Sequence, residues 1–232
     1  MISDNLRLSI VIPTMNEEKS IGKVIERIKN SVKYDYEIII VDSSTDNTPL
    51  IAESMGARVI KEKRKGYGRA YKTGFLNATG NIIATMDGDN TYPPEEINKG
   101  VEEILKGYDF ISFERITLLP KDTMLEAHRL GNFILNLAVL TLFFIKMKDS
   151  QSGMWVFKKE LIKKFQVCSN GMGFSEELKI RAFYNGKFRE IPIVYGMREG
   201  ERKLQTFKDG IKNLLHLIKI RFSKCQKKIK DW

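Results

Sequence analysis

Asp87-Gly88-Asp89 sets two carboxylates one residue apart, directly after the apolar run Ile82–Met86. Carboxylates at that spacing can reach one hard divalent cation and, through it, a diphosphate. Mg²⁺ or Mn²⁺ is commonly held by only one or two carboxylates plus substrate phosphates, so no larger cluster is required. The tripeptide alone also describes a turn, because Asp and Gly dominate turns. Position favours a site: two earlier apolar runs also end in polar loops, Pro13-Thr14-Met15-Asn16-Glu17 and Asp42-Ser43-Ser44-Thr45-Asp46. His128, His216, Cys168 and Cys225 form no CxxC or HxxxH spacing, which argues against zinc and against a disulfide framework. So few cysteines fit a reducing compartment.

The elements that must carry these loops follow from hydrophobic period. Leu8–Ile12 and Glu37–Val41 are short β-branched runs, and between them Ile21, Val24, Ile25 and Ile28 recur at helical spacing. A helix at Thr48–Met55, a strand at Arg58–Lys61, a helix after Gly66-Tyr67-Gly68 and a strand at Ile82–Met86 complete a βαβαβαβ order. That order predicts an α/β fold with a doubly wound, mostly parallel sheet, whose ligand lies beyond the carboxyl ends of the strands. Beyond Asp89 the pattern predicts helices near Pro94–Lys106 and Glu176–Tyr184, and strands near Asp109–Phe113, Gly153–Phe157 and Glu190–Tyr195. Neither repeat nor linker interrupts the chain. The expected division is a catalytic domain over 1–204 and a basic amphipathic C-terminal helix over 205–232.

The chain has 232 residues, 42% hydrophobic and 29% charged, a globular balance that rules out disorder. Its net charge is +10, and Arg198–Trp232 holds eleven Lys/Arg against four Asp/Glu, so seven of those ten charges lie at the C-terminal end. An anionic partner is expected there. Leu204, Phe207, Ile211, Leu214, Leu215, Ile218, Phe222 and Cys225 form a helical stripe, with Lys208, Lys212, Lys219, Arg221 and Lys224 mostly off it. A basic amphipathic helix of this kind binds a membrane surface or packs on the domain with a solvated basic face. The longest uncharged run, Leu130–Ile145, has 16 residues, short of the ~20 that span a bilayer. The N-terminal run stops at Pro13 and does not read as a signal peptide. Nucleic acid is not an expected partner: RNP and helix-turn-helix signatures are missing, and that role leaves Asp87 and Asp89 idle.

Ile12–Glu17, Val41–Thr48 and Asp87–Asp89 resemble the ordered motifs of GT-A, family 2 glycosyltransferases. Asp149-Ser150-Gln151-Ser152-Gly153, Gly173-Phe174-Ser175-Glu176-Glu177 and Arg198–Leu204 are similar to the dolichol-phosphate mannose synthase-like branch. The resemblance implies inverting, metal-dependent transfer from a nucleotide-sugar donor, GDP-mannose favoured, to dolichyl or polyprenyl phosphate, for glycan assembly such as protein N-glycosylation. UDP-glucose or UDP-N-acetylglucosamine is the alternative donor, and a saccharide or lipid hydroxyl the alternative acceptor. It further implies that Pro13, Met15, Glu17, Ile40 and Asp42 hold the base and ribose, and that Asp87, Gly88 and Asp89 hold Mg²⁺ or Mn²⁺ and the diphosphate. Arg115 and Arg129 match basic residues near the transferred sugar and acceptor phosphate, and Arg198 and Lys203 a loop closing over the phosphates. The implied setting is peripheral, at the cytoplasmic face of a membrane, with a membrane partner subunit or a homo-oligomer left open. Thr91 stands where many relatives carry Gln, so a third metal ligand is not assigned.

The chemistry is consistent with the residues. A phosphate monoester has a second pKa of about 6 and is largely dianionic at neutral pH, so it needs cations to position it rather than a strong base. Arg115 and Arg129 suit that task through forked contacts. A hydroxyl acceptor would instead need a general base, with Glu177 or Asp149 as candidates. Lys63–Arg69 reads equally as a surface loop or as a donor contact. Asp149 and Ser152-Gly153 fit a turn lining the site, while His128 and Trp155 read as structural.

Overall fold

The computed structural model describes residues 6–119, 126–199 and 206–222, the side chains of 126–128 and 206–209 excepted. Seven strands, β1 (Leu8–Thr14), β2 (Tyr36–Asp42), β3 (Arg58–Lys61), β4 (Ile82–Thr85), β5 (Phe110–Glu114), β6 (Trp155–Lys158) and β7 (Phe188–Pro192), form one sheet in the order β3-β2-β1-β4-β6-β5-β7. The helices are α1 (Ile21–Ser31), α2 (Thr48–Ser54), α3 (Tyr67–Asn77), α4 (Glu96–Leu105), α5 (Glu126–Phe143), α6 (Phe174–Asn185) and α7 (Thr206–Phe222).

The first four strands are parallel, and β6 runs antiparallel between β4 and β5. Helices cover both faces, so the central strands are buried on both sides and read as continuous apolar runs. Ile10 and Ile12 of β1 join Ile21, Val24, Ile25 and Ile28 of α1 in one core, while Val11 joins Tyr71 and Phe75 of α3 in the other. Gly74 lets α3 lie close on β1, since a Cβ there would sit 2.3 Å from Val11 Cγ1.

A third, smaller core holds α7 to the molecule. Leu135, Val139 and Phe143 of α5 cluster with Leu217 and Ile220 of α7 and Ile180 of α6. The helix set apart in sequence as 205–232 is therefore packed on its neighbours between Leu214 and Ile220. Cys168, before α6, is disulfide-bonded, against the expectation from so few cysteines.

Candidate active site

The loops leaving β1, β2 and β4 are fastened by short polar side chains. Thr14 Oγ1 donates to Asp42 Oδ1 at 2.8 Å, and the Ser44 amide donates to Asp42 Oδ2 at 3.1 Å. Asn16 has φ 56° and accepts the Thr45 amide at 2.8 Å through Oδ1, joining the first two loops. Asn is among the few non-glycine residues that enter this region readily. Gly88 carbonyl accepts Ser20 Oγ at 2.7 Å, tying the third loop to the start of α1. A Cβ on Gly88 would lie 3.1 Å from Thr14 Cγ2, so the third loop presses on β1.

A cavity of about 510 Å³ opens over these strand ends. Pro13, Met15, Glu17, Asp87, Gly88 and Asp89 line it, together with Arg115 and Arg198. Asp87 Oδ1 accepts Tyr67 Oη at 3.1 Å. Gly153 makes room for that hydroxyl, because a Cβ there would stand 2.2 Å from it. Burial, then the charge of Asp89, raises the Asp87 carboxyl to about 7. Two carboxylates in a low-dielectric cleft disfavour joint ionisation unless a cation joins them.

Asp89 is 2% exposed, and its Oδ1 accepts Thr91 Oγ1 at 2.6 Å while Oδ2 meets Arg198 Nη2 at 2.9 Å. The same guanidinium lies 3.9 Å from Glu17. The Glu199 amide donates to the Asp89 carbonyl at 3.0 Å, and Glu199 Oε1 accepts Asn90 Nδ2 at 2.9 Å and also Lys23 Nζ. Residues 196–199 are thus laid across the Asp89 loop.

Arg115 forks onto Asp149 through Nε at 2.7 Å and Nη2 at 2.9 Å, with its guanidinium 5.2 Å over the Tyr195 ring. Burial pushes Asp149 up, but Arg115 outweighs it and holds the acid at about 2. Lys179, fully buried, donates to the Asp149 and Ser152 carbonyls at 2.8 and 3.1 Å, and burial lowers it to about 8. Beneath the cavity, this network shapes the 149–153 turn.

Other expected site residues fall elsewhere. Ile40 is fully buried in the α1-side core, and Ile39 and Val41 face the opposite core, so neither face of β2 there opens to the cavity. Side chains alternate along a strand, and nearness to Asp42 in sequence does not place Ile40 beside the ligand. Asp42 itself is a loop staple, and its neighbour Ser43 lines the cavity. Arg129 is exposed on α5, two residues before the cavity-lining Gly131. Lys203 lies outside the described residues.

Of the two readings of Lys63–Arg69, cavity contact holds for Lys65, Gly66 and Tyr67, whereas Arg64 bonds Glu62 at 3.0 Å. Glu177 accepts the Cys168 and Ser169 amides and meets His216 Nε2 at 3.1 Å, so it anchors a loop and α7. Three residues carried no signal of their own in sequence: Tyr92 and Tyr195, which line the cavity, and Asn213, which α7 brings to it. Among the described residues, no group of three His, Cys, Asp or Glu could hold a metal, leaving the two aspartates as the candidate ligands.

The family model described as "Glycosyl transferase family 2" matches residues 9–165. The chain belongs to this family and is a glycosyltransferase. It is 37% identical over 204 residues to a dolichyl-phosphate hexose transferase of Haloferax volcanii, covering 88% of this chain and 89% of that one. It is 29% identical over 227 residues to a dolichol-phosphate mannosyltransferase of Pyrococcus furiosus, covering 92% of this chain but 64% of that longer protein. A solved glucosyl-3-phosphoglycerate synthase from Mycobacterium tuberculosis, in complex with Mn²⁺, UDP and phosphoglyceric acid, superposes with a TM-score of 0.75. That match covers 95% of this chain and 79% of the synthase at 22% identity, and it shows a shared GT-A fold.

Proposed function

We propose that this protein moves a hexose, mannose from GDP-mannose favoured, onto a polyprenyl phosphate at a membrane surface, with inversion at the sugar carbon. One observation carries the proposal: the cavity holding Asp87 and Asp89 is also walled by α5 and α7, whose outer faces are apolar. Leu130, Phe133, Ile134, Leu137 and Leu140 on α5, and Ile211, Leu215, Ile218 and Phe222 on α7, are all exposed. Contiguous exposed apolar surface marks an interaction site. Exposed Lys212, Lys219 and Arg221 border it on α7, and each basic residue near an anionic surface contributes about 1 kcal/mol. No described helix is long and apolar enough to cross a membrane. The attachment proposed is peripheral, at the cytoplasmic face. The Haloferax and Pyrococcus relatives, by their names, act with dolichyl phosphate, which supports this acceptor class.

Asp87 and Asp89 suit Mg²⁺ or Mn²⁺: they repel each other, Asp89 already attracts a guanidinium, and oxygen ligands fit hard cations. The Mycobacterium synthase, solved with Mn²⁺ and UDP, supports such a metal. Bound there, it would neutralise charge gathering on the departing diphosphate. Pro13, Met15 and Glu17 hold the nucleoside side of the donor, and Arg198, with Lys203, holds its phosphates. Arg129 receives the acceptor phosphate from the membrane side. Arg115, committed to Asp149, shapes the sugar end of the cavity. Of the two acids that could have served as general base for a hydroxyl acceptor, Asp149 is held by Arg115 and Glu177 by the Cys168 and Ser169 amides, which supports an acceptor that is already ionised.

The test is transfer of label from GDP-mannose to polyprenyl phosphate in vesicles with Mn²⁺, counted in the organic phase. Label should enter that phase and stop doing so in EDTA. Label remaining in water for GDP-mannose, UDP-glucose and UDP-N-acetylglucosamine alike would refute the proposal.

A further inference from the structure

Helix α7 does more than face outward: Gly210 and Asn213 line the cavity. Among the described residues, a Cβ added at Gly210 meets nothing within 4 Å. Asn213 is only 6% exposed, and its Nδ2 donates to Gln151 Oε1 at 3.0 Å. Gln151 is itself fully committed. Its Nε2 donates to Ser150 Oγ at 3.1 Å and to Glu176 Oε1, and its oxygen points at α7. A glutamine amide has one oxygen and one NH₂, so holding the NH₂ fixes which end α7 meets. Asn213 must then turn its own NH₂ to Gln151, leaving Oδ1 for the cavity. Among the described residues, no hydrogen bond to that oxygen is present.

Glu176 is suited to fix this ladder without adding charge. It is fully buried, its Oε2 has no partner, and burial raises it to about 8. A neutral acid can hold the amide of Gln151 without placing a second anion near the diphosphate.

We propose that Asn213 is a sugar-binding residue whose Oδ1 accepts a hydroxyl of the donor hexose, and that Gln151 and Glu176 are positioning residues that aim it. The proposal rests on the hexose-transfer function above. An acceptor oxygen rejects phosphate, which offers only acceptors when ionised, and accepts a hydroxyl. Fixed groups that hydrogen-bond a substrate hydroxyl discriminate strongly, because the wrong sugar leaves them unpaired.

Titration calorimetry with Mn²⁺ tests this, using GDP-mannose and UDP-glucose as sugar probes, and GDP and UDP as controls that carry the ribose but no hexose. For Asn213→Ala, the Kd of the preferred nucleotide sugar should rise roughly five- to tenfold, while that of its parent diphosphate stays within about twofold. Gln151→Met, which keeps Asn213 and the volume of the side chain, should shift the sugar probe in the same direction by less. Equal weakening of sugar and diphosphate would reduce Asn213 to scaffold and overturn the proposal. So would unchanged affinity for the sugar probe in both variants. Wild-type protein that binds the diphosphates but neither nucleotide sugar at all would instead count against hexose transfer itself, without reference to any variant.

Discussion

The cavity has two unlike walls. One is made by the ends of β1, β2 and β4, where Thr14, Asp42, Ser44, Asn16 and Ser20 cross-link three loops and hold Asp87 and Asp89 against a sheet buried on both faces. The other is made by α5 and α7, which share a small core of their own and expose a second apolar face. On the first wall short polar side chains bond from one loop to the next. On the second, polar contact with the cavity narrows to a few residues such as Asn132 and Asn213. The contrast matches the tasks proposed for the two walls. Charge developing on a diphosphate is stabilised best by groups that need not reorganise, whereas a lipid-borne acceptor needs apolar surface more than exact polar placement.

That contrast can be broken from either side. Asp89→Ala should abolish transfer, a drop of roughly a hundred- to a thousand-fold, with the far-UV spectrum unchanged, because the carboxylate faces Arg198 and the cavity rather than a core. Activity within a few-fold of wild type would remove the strand-end wall from the chemistry. Gly153→Ala drives a methyl group into Tyr67 Oη and should pull Tyr67 off Asp87. The expected cost is about 1–3 kcal/mol in chemical denaturation, with weaker Mn²⁺ binding; an unaltered midpoint would show that the turn is looser than its contacts imply.

Glu176→Gln sharpens the helical side through pH. The native carboxyl titrates at about 8 against 4.5 for the free side chain, so the folded state keeps a proton that the unfolded state releases. Wild-type stability from this group is present below about 4.5 and lost as pH rises through about 8. The variant cannot ionise, so its melting temperature should match wild type near pH 4.5, exceed it increasingly as pH rises to about 8 and level off above that. Parallel curves would mean that Glu176 is ionised throughout. The smallest change concerns the outer face: Leu215→Ser, at an exposed position, should shift stability by no more than about 0.5 kcal/mol yet reduce co-sedimentation with anionic vesicles. Undiminished sedimentation would take α7 out of the membrane contact.

Much of the strand-end wall was legible in sequence because each piece is local. A β-branched run followed by a polar loop predicts both the strand and what it presents, and Glu17, Asp87, Asp89 and Arg198 do line one cavity. Ile40 was misplaced for a local reason too, since alternation along β2 turns it into the core. The antiparallel direction of β6 had no local sign: four residues in mid-sheet, three of them buried, read alike either way. Leu130–Ile145 showed no single polar stripe because α5 buries one apolar face and exposes another, so its helix was not evident. Asn213 and Gln151, 62 residues apart, meet only through packing of α7 on α5 and α6. No spacing rule could have joined them.

The central claim is that the protein positions an already ionised acceptor with cations and supplies no strong base. The direct measurement is initial transfer rate, in the same vesicles with Mn²⁺ and GDP-mannose, to a polyprenyl phosphate and to the polyprenol of equal chain length. Transfer to the phosphate and none above background to the alcohol is the predicted result. Comparable transfer to the alcohol would contradict it, and would require a general base in the site.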